Sequence, residues 1–412
     1  MKKIRLSVLT LFISIILFSV FNDNKVLAHA TLEETTPQLD EVVEGKVDTI
    51  KLKFNEPVYS KYSGISVYDD KGKKISDVKP STSGSSATLS FTVDNIKKGT
   101  HIVEWHAMSA DGHEVKGNFQ FSVEKVTATD IDTSVPFFKN VDFWFGAIRY
   151  LSQGAVIGLI GLFWLNLLAG KQALPSYEAF FKRKSIVLLL MLGIVVTLIT
   201  YLMTLSSDVS ADILTFKLDT LIQFPFVLTS LAIIVLLFLM MLPNMALAWY
   251  LFVSFAIILA LSMSGHAWAQ SVPLWSVFIR FMHLTGITAW IGALIYLSYY
   301  ARKNKNPNIS PVRHLLFKVN TSAVAIIIIS GVLMVIDETE ILNIWNNIQT
   351  WSALLIVKII LTFGMMLCGF YQTTQALKKQ HRVNKMNLFI ELSLGIILIG
   401  VGVMMSQINL PN

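Results

Sequence analysis

The stretch GTHIVEWHAMSADGHEVKGNFQFSV, residues 99–123, alternates apolar and polar side chains on both sides of a short polar break. Six apolar residues mark the two alternating faces: Val103, Trp105, Ala107, Phe119, Phe121 and Val123. A period of two is typical of β-strands that bury one face. The stretch therefore predicts two strands joined by a loop at residues 109–113.

The same alternation continues upstream of this pair. It recurs at Ile50, Leu52 and Phe54 and again at Leu89, Phe91 and Val93. Turn residues separate the runs, as at residues 55–57, 69–72, 83–84 and 98–99. This pattern predicts a small antiparallel β-sandwich over residues 29–125. A segment of that length can bury one core without disulfides, and the chain has a single cysteine, Cys368.

The chain begins with a targeting signal. Lys2, Lys3 and Arg5 precede an apolar run at residues 6–21, and a polar stretch then ends in Val-Leu-Ala at Ala28. This order is typical of a secretory signal peptide, here residues 1–28. Cleavage after Ala28 makes His29 the new N-terminus, with a free α-amine beside its imidazole.

The chain as a whole has the composition of a membrane protein. Of the 412 residues, 53% are hydrophobic and 15% are charged, against about 25% charged in an ordinary soluble domain. After a polar linker at residues 126–142, the segment 143–412 predicts an all-α polytopic membrane domain with eight transmembrane helices. The predicted spans are 144–168, 186–206, 218–242, 245–264, 275–299, 319–336, 351–375 and 388–406.

The loops between these spans predict the orientation. Lysine and arginine concentrate in the loops at residues 169–185, 300–318 and 376–387, which places those loops in the cytoplasm. The β-domain and both termini are then extracytoplasmic, and the protein is a multi-pass protein of the cell membrane. Because the basic residues serve orientation, the formal charge of +7 does not indicate a nucleic-acid partner.

A metal site is predicted at the loop of the β-domain. The amine and imidazole of His29 can chelate one ion through two nitrogens, His113 adds a third, and Asp111 offers an oxygen. A tetragonal set of nitrogen and oxygen ligands suits Cu(II), whereas zinc more often takes a tetrahedral set. The candidate ligands are therefore His29, Asp111 and His113, and the candidate ion is Cu(II).

These residues resemble the CopC family of periplasmic copper-binding proteins. The resemblance rests on His29-Ala30, on residues 54–58 (Phe-Asn-Glu-Pro-Val), and on Trp105 followed by residues 109–113 (Ser-Ala-Asp-Gly-His) with Gly117 and Phe121. It implies an immunoglobulin-like domain that binds Cu(II) at His29, Asp111 and His113. Since Met108 is the only methionine of this domain, the resemblance implies no methionine-rich Cu(I) site.

The predicted membrane domain contains polar residues that are functional candidates, because such residues are expensive inside a bilayer. They are His266, Arg280, His283, Lys358 and Glu391. The segment from residue 144 to 406 resembles CopD, the membrane partner of CopC, at 264–266, 283–292, 331, 354–358 and 391–395. His266 and His283 are the candidate copper acceptors, and some span methionines are candidate Cu(I) ligands, since thioethers are soft ligands.

A CopC–CopD fusion is the layout of YcnJ-type copper acquisition proteins. The resemblance implies copper uptake across the cytoplasmic membrane, with an extracytoplasmic copper chaperone as a candidate partner. We expect a transport protein and not an enzyme. Three alternatives stay open at this point: a haem-type membrane oxidoreductase that reduces Cu(II), a copper monooxygenase, and a copper-sequestering domain with a passive anchor.

Overall fold

The fold is seen in a computed structural model that describes residues 30–94, 96–109, 114–129, 136–264, 267, 270, 272–303, 309–339, 350–379 and 381–408. The predicted signal peptide at residues 1–28 lies outside the described residues, as does part of the predicted linker. The described chain forms two compact units. One comprises residues 30–140 and 202–224, and the other comprises residues 141–201 and 225–408.

The first unit contains seven strands. They are β1 (Leu32–Thr36), β2 (Val42–Val43), β3 (Thr49–Tyr68), β4 (Lys74–Val78), β5 (Ser85–Thr92), β6 (Gly99–Ser109) and β7 (Glu114–Val123). The strand order is β1-β3-β6-β7-β2, and β4 and β5 also pair with β3. All pairings are antiparallel except that of β2 with β7. The predicted β-domain is confirmed, and we use that name for residues 30–129.

Strand β3 belongs to two layers of this domain. Its first half pairs with β1 and β5, and its second half pairs with β4 and β6. The register with β5 shifts between Lys53 and Val58, and that with β6 shifts between Tyr59 and Gly64. Such irregularities let one strand bend from one sheet into another. The 20-residue strand therefore joins the two faces that enclose the core.

The core of the β-domain consists of the alternating residues that the sequence indicated. Ile50, Leu52, Leu89, Val103 and Phe121 are all completely buried. Because neighbouring side chains of a strand point to opposite faces, the residues between them are left for solvent or for ligands. The period-two pattern therefore accounts for the core.

The helices follow in chain order. They are α1 (Val141–Gly170), α2 (Lys184–Thr204), α3 (Ser207–Leu214), α4 (Leu218–Gln223), α5 (Pro225–Met240), α6 (Leu247–Ser262), α7 (Pro273–Lys303), α8 (Ile309–Glu338), α9 (Thr350–Tyr371, prolonged as a π-helix over Gln372–Lys379) and α10 (Lys385–Met405). Short 3₁₀ turns occupy Phe137–Lys139 and Phe180–Lys182.

Six of the described helices are long and apolar enough to cross a membrane: α1, α2, α7, α8, α9 with its π-helical extension, and α10. Apolar side chains on them remain exposed, as at Leu189 (68%) and Ile329 (62%), which indicates contact with lipid. This part of the chain is thus the membrane part of the protein. The predicted count of eight spans is not confirmed, because α5 and α6 have 16 residues each, about 24 Å against a hydrocarbon core of about 30 Å.

The predicted span 218–242 is broken near its beginning. Helix α4 ends at Gln223, Phe224 adopts a non-helical backbone with φ −116° and ψ 74°, and α5 starts at Pro225. The residue before a proline is disfavoured in the helical region, and proline itself suits the first position of a helix. The apolar run therefore divides here, and its first part joins the unit of the β-domain.

Candidate metal centre

The three predicted copper ligands of the β-domain, His29, Asp111 and His113, lie outside the described residues. His266 also lies outside them. The structure does describe the residues that follow His29 and those that flank residues 110–113. We call these neighbouring residues, together with the strand that contacts them, the frame of the predicted site. Among the described residues, no group of three or more histidine, cysteine or acidic side chains is placed to hold a metal ion.

One side of the frame is the beginning of the β-domain. The backbone amide of Thr31 donates to Oδ1 of Asn55 over 2.6 Å, and the amide of Asn55 donates to the carbonyl of Thr31 over 3.0 Å. Ala30 is completely buried. The chain is therefore anchored to β3 two residues after His29.

The other side of the frame is the hairpin of β6 and β7. Met108 pairs with Glu114, β6 ends at Ser109, and β7 begins at Glu114. Residues 110–113 are thus the connection between two paired strands. Asp111 and His113 belong to this connection by their position in the chain.

Strand β3 brings the two sides together. Asn55 contacts Thr31, and Val58 is the register partner of Ser109. Three residues of a strand span about 10 Å. Thr31 and the end of β6 at Ser109 therefore contact one short segment of β3, which is the segment of the Phe-Asn-Glu-Pro-Val motif. The convergence of His29, Asp111 and His113 on one ion stays a prediction.

Three further motif residues have structural roles beside this frame. The rings of Phe54 and Trp105 pack edge to face with centroids 5.5 Å apart. Gly117 is the register partner of Trp105, and a Cβ atom at Gly117 would lie 2.3 Å from the indole. Glycine is required here because any side chain would overlap the tryptophan.

The other two histidines of the β-domain differ in their surroundings. His101 is buried, with Nε2 2.8 Å from the carbonyl of Lys97 and Nδ1 3.3 Å from that of Tyr68. His106 is half-buried, and its ring lies beside Gly64. Burial, aided by nearby Lys116, lowers the pKa of His106, which keeps its imidazole neutral at pH 7.

Sequence reasoning missed an ionic cluster at the segment 202–224 of the same unit. The carboxylate of Asp212 accepts hydrogen bonds from Lys217 (2.5 Å) and from the hydroxyl of Tyr62 (2.8 Å), and forms an ion pair with Lys61. These partners hold the pKa of Asp212 far below its usual range, with Lys217 the largest cause. Lys61 and Tyr62 lie on β3, so the cluster ties α3 to the β-domain. Local sequence offers no signal for a contact between residues so distant in the chain.

His283 on α7 is the one predicted membrane ligand that the structure describes. Its side chain is 5% exposed, and Nδ1 lies 3.0 Å from the hydroxyl of Ser330 on α8. That hydroxyl donates to the carbonyl of Ile326 over 2.5 Å, so its oxygen accepts from Nδ1–H. The lone pair of His283 then resides on Nε2, which has no hydrogen-bond partner among the described residues.

His283 lines a cavity of about 130 Å³ within the helical unit. Three basic side chains line it as well: Arg149, Arg280 and Lys358. Arg280 donates to Glu338 over 2.9 Å and to the carbonyl of Ser264 over 2.7 Å. Arg280 and His283 thus line the same cavity, while the acceptor role of His283 stays a prediction.

Glu391 is buried apart from these groups. It is 1% exposed and accepts a hydrogen bond of 3.2 Å from Nε1 of Trp290. In the part of the chain that the structure describes, it forms no ion pair with Lys358.

Comparison with known proteins places the β-domain in a family. A model of the CopC domain matches residues 32–124. Protein YobA of Escherichia coli K12 is 33% identical over 101 residues, which are 24% of this chain and 82% of YobA. The copper transport protein CutJ of Bacillus subtilis 168 is 31% identical over 116 residues, which are 27% of this chain and 21% of CutJ.

A solved structure is also similar to this part of the chain. CopC from Methylosinus trichosporium OB3b is 26% identical over 25% of this chain and 99% of its own, with a TM-score of 0.22. A β-sandwich together with a bundle of long apolar helices defines the class: a membrane protein that carries a small β-domain. Since YobA is matched over four fifths of its length, the chain belongs to the CopC family, and residues 32–124 are its CopC domain.

Proposed function

We propose that this protein binds copper at its CopC domain and moves it across the cytoplasmic membrane in the direction of uptake. Cu(II) is bound by the amine and imidazole of His29, by His113 and by Asp111, after removal of residues 1–28. The helical unit acts as a CopD-like domain that receives the ion, with His266 and His283 as its first acceptors. Copper is the cargo of the protein and not a resident cofactor.

The observation that carries the proposal is the frame on β3. Asn55 holds Thr31, which follows His29 by two residues, and Val58 pairs with Ser109, two residues before Asp111. The residues next to the proposed ligands are therefore held beside one short segment of β3. Such anchoring of the neighbouring backbone supports the proposal, because it reduces the entropy lost on metal binding.

The relatives support copper as the cargo. CutJ of Bacillus subtilis is named a copper transport protein, and the CopC-domain relative of Escherichia coli is named copper resistance protein C. The six long apolar helices supply the membrane passage that transport requires. The buried histidine His283, with a free lone pair on Nε2, has the chemistry of a copper acceptor.

Electron paramagnetic resonance of the full chain in detergent tests the Cu(II) site. A form that starts at His29 is compared with one that carries a single additional residue before it, both against a competing chelator. We expect a tight, nitrogen-rich tetragonal signal from the first form and a loss of affinity of at least tenfold in the second, because the extension converts the amine into an amide. Equal affinity in the two forms would contradict the amine ligand.

The same preparation decides between the proposal and its main alternative. His101→Ala serves as the control, because both nitrogens of His101 face backbone carbonyls, and it should leave the Cu(II) signal unchanged. We expect no Soret absorption from the purified protein. A Soret band that disappears on removal of His283 would instead favour the haem-type cupric reductase.

A further inference from the structure

The cavity beside His283 contains an unusual combination of charges for the interior of a membrane protein. Arg149, Arg280 and Lys358 line it, and no acidic side chain does so among the described residues. Of these three side chains, only Arg280 forms an ion pair with a carboxylate among the described residues, that of Glu338. Two positive charges therefore remain without an ion pair in the described part of the chain, which is costly in a low-dielectric environment.

Arg149 shows this lack of a partner most directly. Its side chain is 6% exposed, and its Nε has no hydrogen-bond acceptor among the described residues. The guanidinium faces the rings of Phe145 and Phe226 at 5.8 and 5.1 Å. These cation–π contacts stabilise the guanidinium in part, but they leave its N–H groups available to donate to an oxygen ligand.

His283 adds a different requirement. Its Nδ1–H is used by Ser330, so Nε2 presents a lone pair and accepts a hydrogen bond. Nε2 is buried without a donor in the described structure. A ligand that suits the whole cavity must therefore carry negative charge for Arg149 and Lys358 and a hydroxyl group for Nε2.

We propose that this cavity binds a small oxyanion that carries its own hydroxyl group, of the hydrogenphosphate or hydrogencarbonate class. Its charged oxygens accept from Arg149 and Lys358, and its O–H donates to Nε2 of His283. The volume of about 130 Å³ suits such an ion, since an engineered cavity of about 150 Å³ holds a benzene molecule. An ion without a hydroxyl, such as chloride or sulfate, satisfies the cations but leaves Nε2 without a donor.

The site is distinct from the proposed Cu(II) site of the CopC domain. A bare copper ion at Nε2 would meet the positive charge of Arg149 and Lys358, and a bound oxyanion reduces that charge. Copper and the hydroxyl group compete for the same lone pair, so the two ligands do not occupy Nε2 together. Phosphate binding is measured by dialysis and Cu(II) binding by electron paramagnetic resonance, so failure of this inference and failure of the proposed copper site can be told apart.

Equilibrium dialysis of radiolabelled phosphate with the full chain in detergent, at constant ionic strength, tests the inference. We expect saturable binding of one phosphate per chain and at least tenfold weaker binding in Lys358→Met and in Arg149→Met. The matched control Lys378→Met removes an exposed lysine and should bind phosphate as the wild type does. Absence of saturable binding to the wild type, or equal binding by Lys358→Met, would overturn the proposal.

Competition by sulfate tests the role of the hydroxyl group. Sulfate has the shape of phosphate but carries no proton at pH 7, so we expect it to compete at least tenfold more weakly. His283→Leu should bring the two ions to similar affinity, and equal competition in the wild type would refute the hydroxyl requirement. Thermal unfolding without phosphate checks folding of the variants: Lys358→Met should melt no lower than the wild type, because it removes a half-buried charge that has no ion pair among the described residues.

Discussion

Asn55 and Thr31 are joined by two hydrogen bonds, one through the side-chain oxygen of Asn55 and one through its backbone amide. An amide side chain in the middle of a strand thus replaces a regular ladder contact and holds the beginning of the domain. His29 precedes this contact by two residues. The asparagine of the Phe-Asn-Glu-Pro-Val motif is therefore a positioning residue for the proposed copper site.

Replacement of Asn55 by alanine should weaken Cu(II) binding. The amide of Thr31 loses its acceptor, and an intramolecular hydrogen bond contributes about 0.5–1.5 kcal/mol. We expect Cu(II) affinity, measured by chelator competition on the full chain, to fall about two- to tenfold. The exposed Asn118 of β7 provides the control, and an equal effect of Asn118→Ala would show that the Asn55 contact is not specific.

Gly117→Ala should destabilise the β6–β7 hairpin. The new Cβ would lie 2.3 Å from the Trp105 indole, and overpacking of a core costs about 1–3 kcal/mol. Hydrogen exchange followed by mass spectrometry should show faster exchange in β6 and β7. Gly170→Ala is the control, because a Cβ at Gly170 would have no described atom within 4 Å, and it should leave exchange in these strands unchanged. Unchanged exchange in Gly117→Ala would contradict the close packing of Gly117 against Trp105.

The Asp212 cluster should stabilise its unit in a pH-dependent way. The pKa of the Asp212 carboxyl group is lowered in the folded protein. The stability that this carboxylate contributes is therefore fully present above the unfolded pKa of about 3.9. This stability is lost as the pH falls through the lower pKa of the folded state. We expect Asp212→Asn to exchange amide hydrogens faster than the wild type over residues 207–223 at pH 7, and the difference to narrow in strong acid.

Asp219→Asn is the matched control for this experiment. Asp219 is exposed on α4 and has no ion pair among the described residues. Its replacement should leave the hydrogen exchange of residues 207–223 unchanged at both pH values, after correction for intrinsic rates. A difference between Asp212→Asn and the wild type that stays constant into strong acid would argue against a titrating carboxylate.

His283→Leu should abolish copper accumulation by cells and leave Cu(II) binding at the CopC domain intact. The substitution removes the lone pair of Nε2 and places an apolar side chain of similar size beside Gly331. Copper content is measured by mass spectrometry of washed cells, and Cu(II) binding by resonance of the purified chain. The exposed His314 is the control, and normal accumulation in His283→Leu would remove His283 from the transport path.

Local patterns predicted much of the fold. The alternation at Ile50, Leu52, Leu89, Val103 and Phe121 identified the β-domain, since a strand with one buried face must repeat every two residues. The apolar runs identified the long helices, because crossing a bilayer requires length and apolarity together. The division at Phe224-Pro225 was missed, although the proline was visible, because the apolar run continued on both sides of it.

The amino-acid sequence by itself determined the β-domain, the long apolar helices and the resemblance of residues 29–123 to CopC. These features depend on short-range periodicity and on local motifs, which are written in consecutive residues. Only the tertiary structure decided that Asn55 holds Thr31, that Asp212 is the centre of an ionic cluster with Lys61 and Tyr62, and that Arg149 and Lys358 share a cavity with His283. These relationships join residues far apart in the chain, and only the packing of distant segments against one another brings them together, so no local pattern of the sequence indicates them.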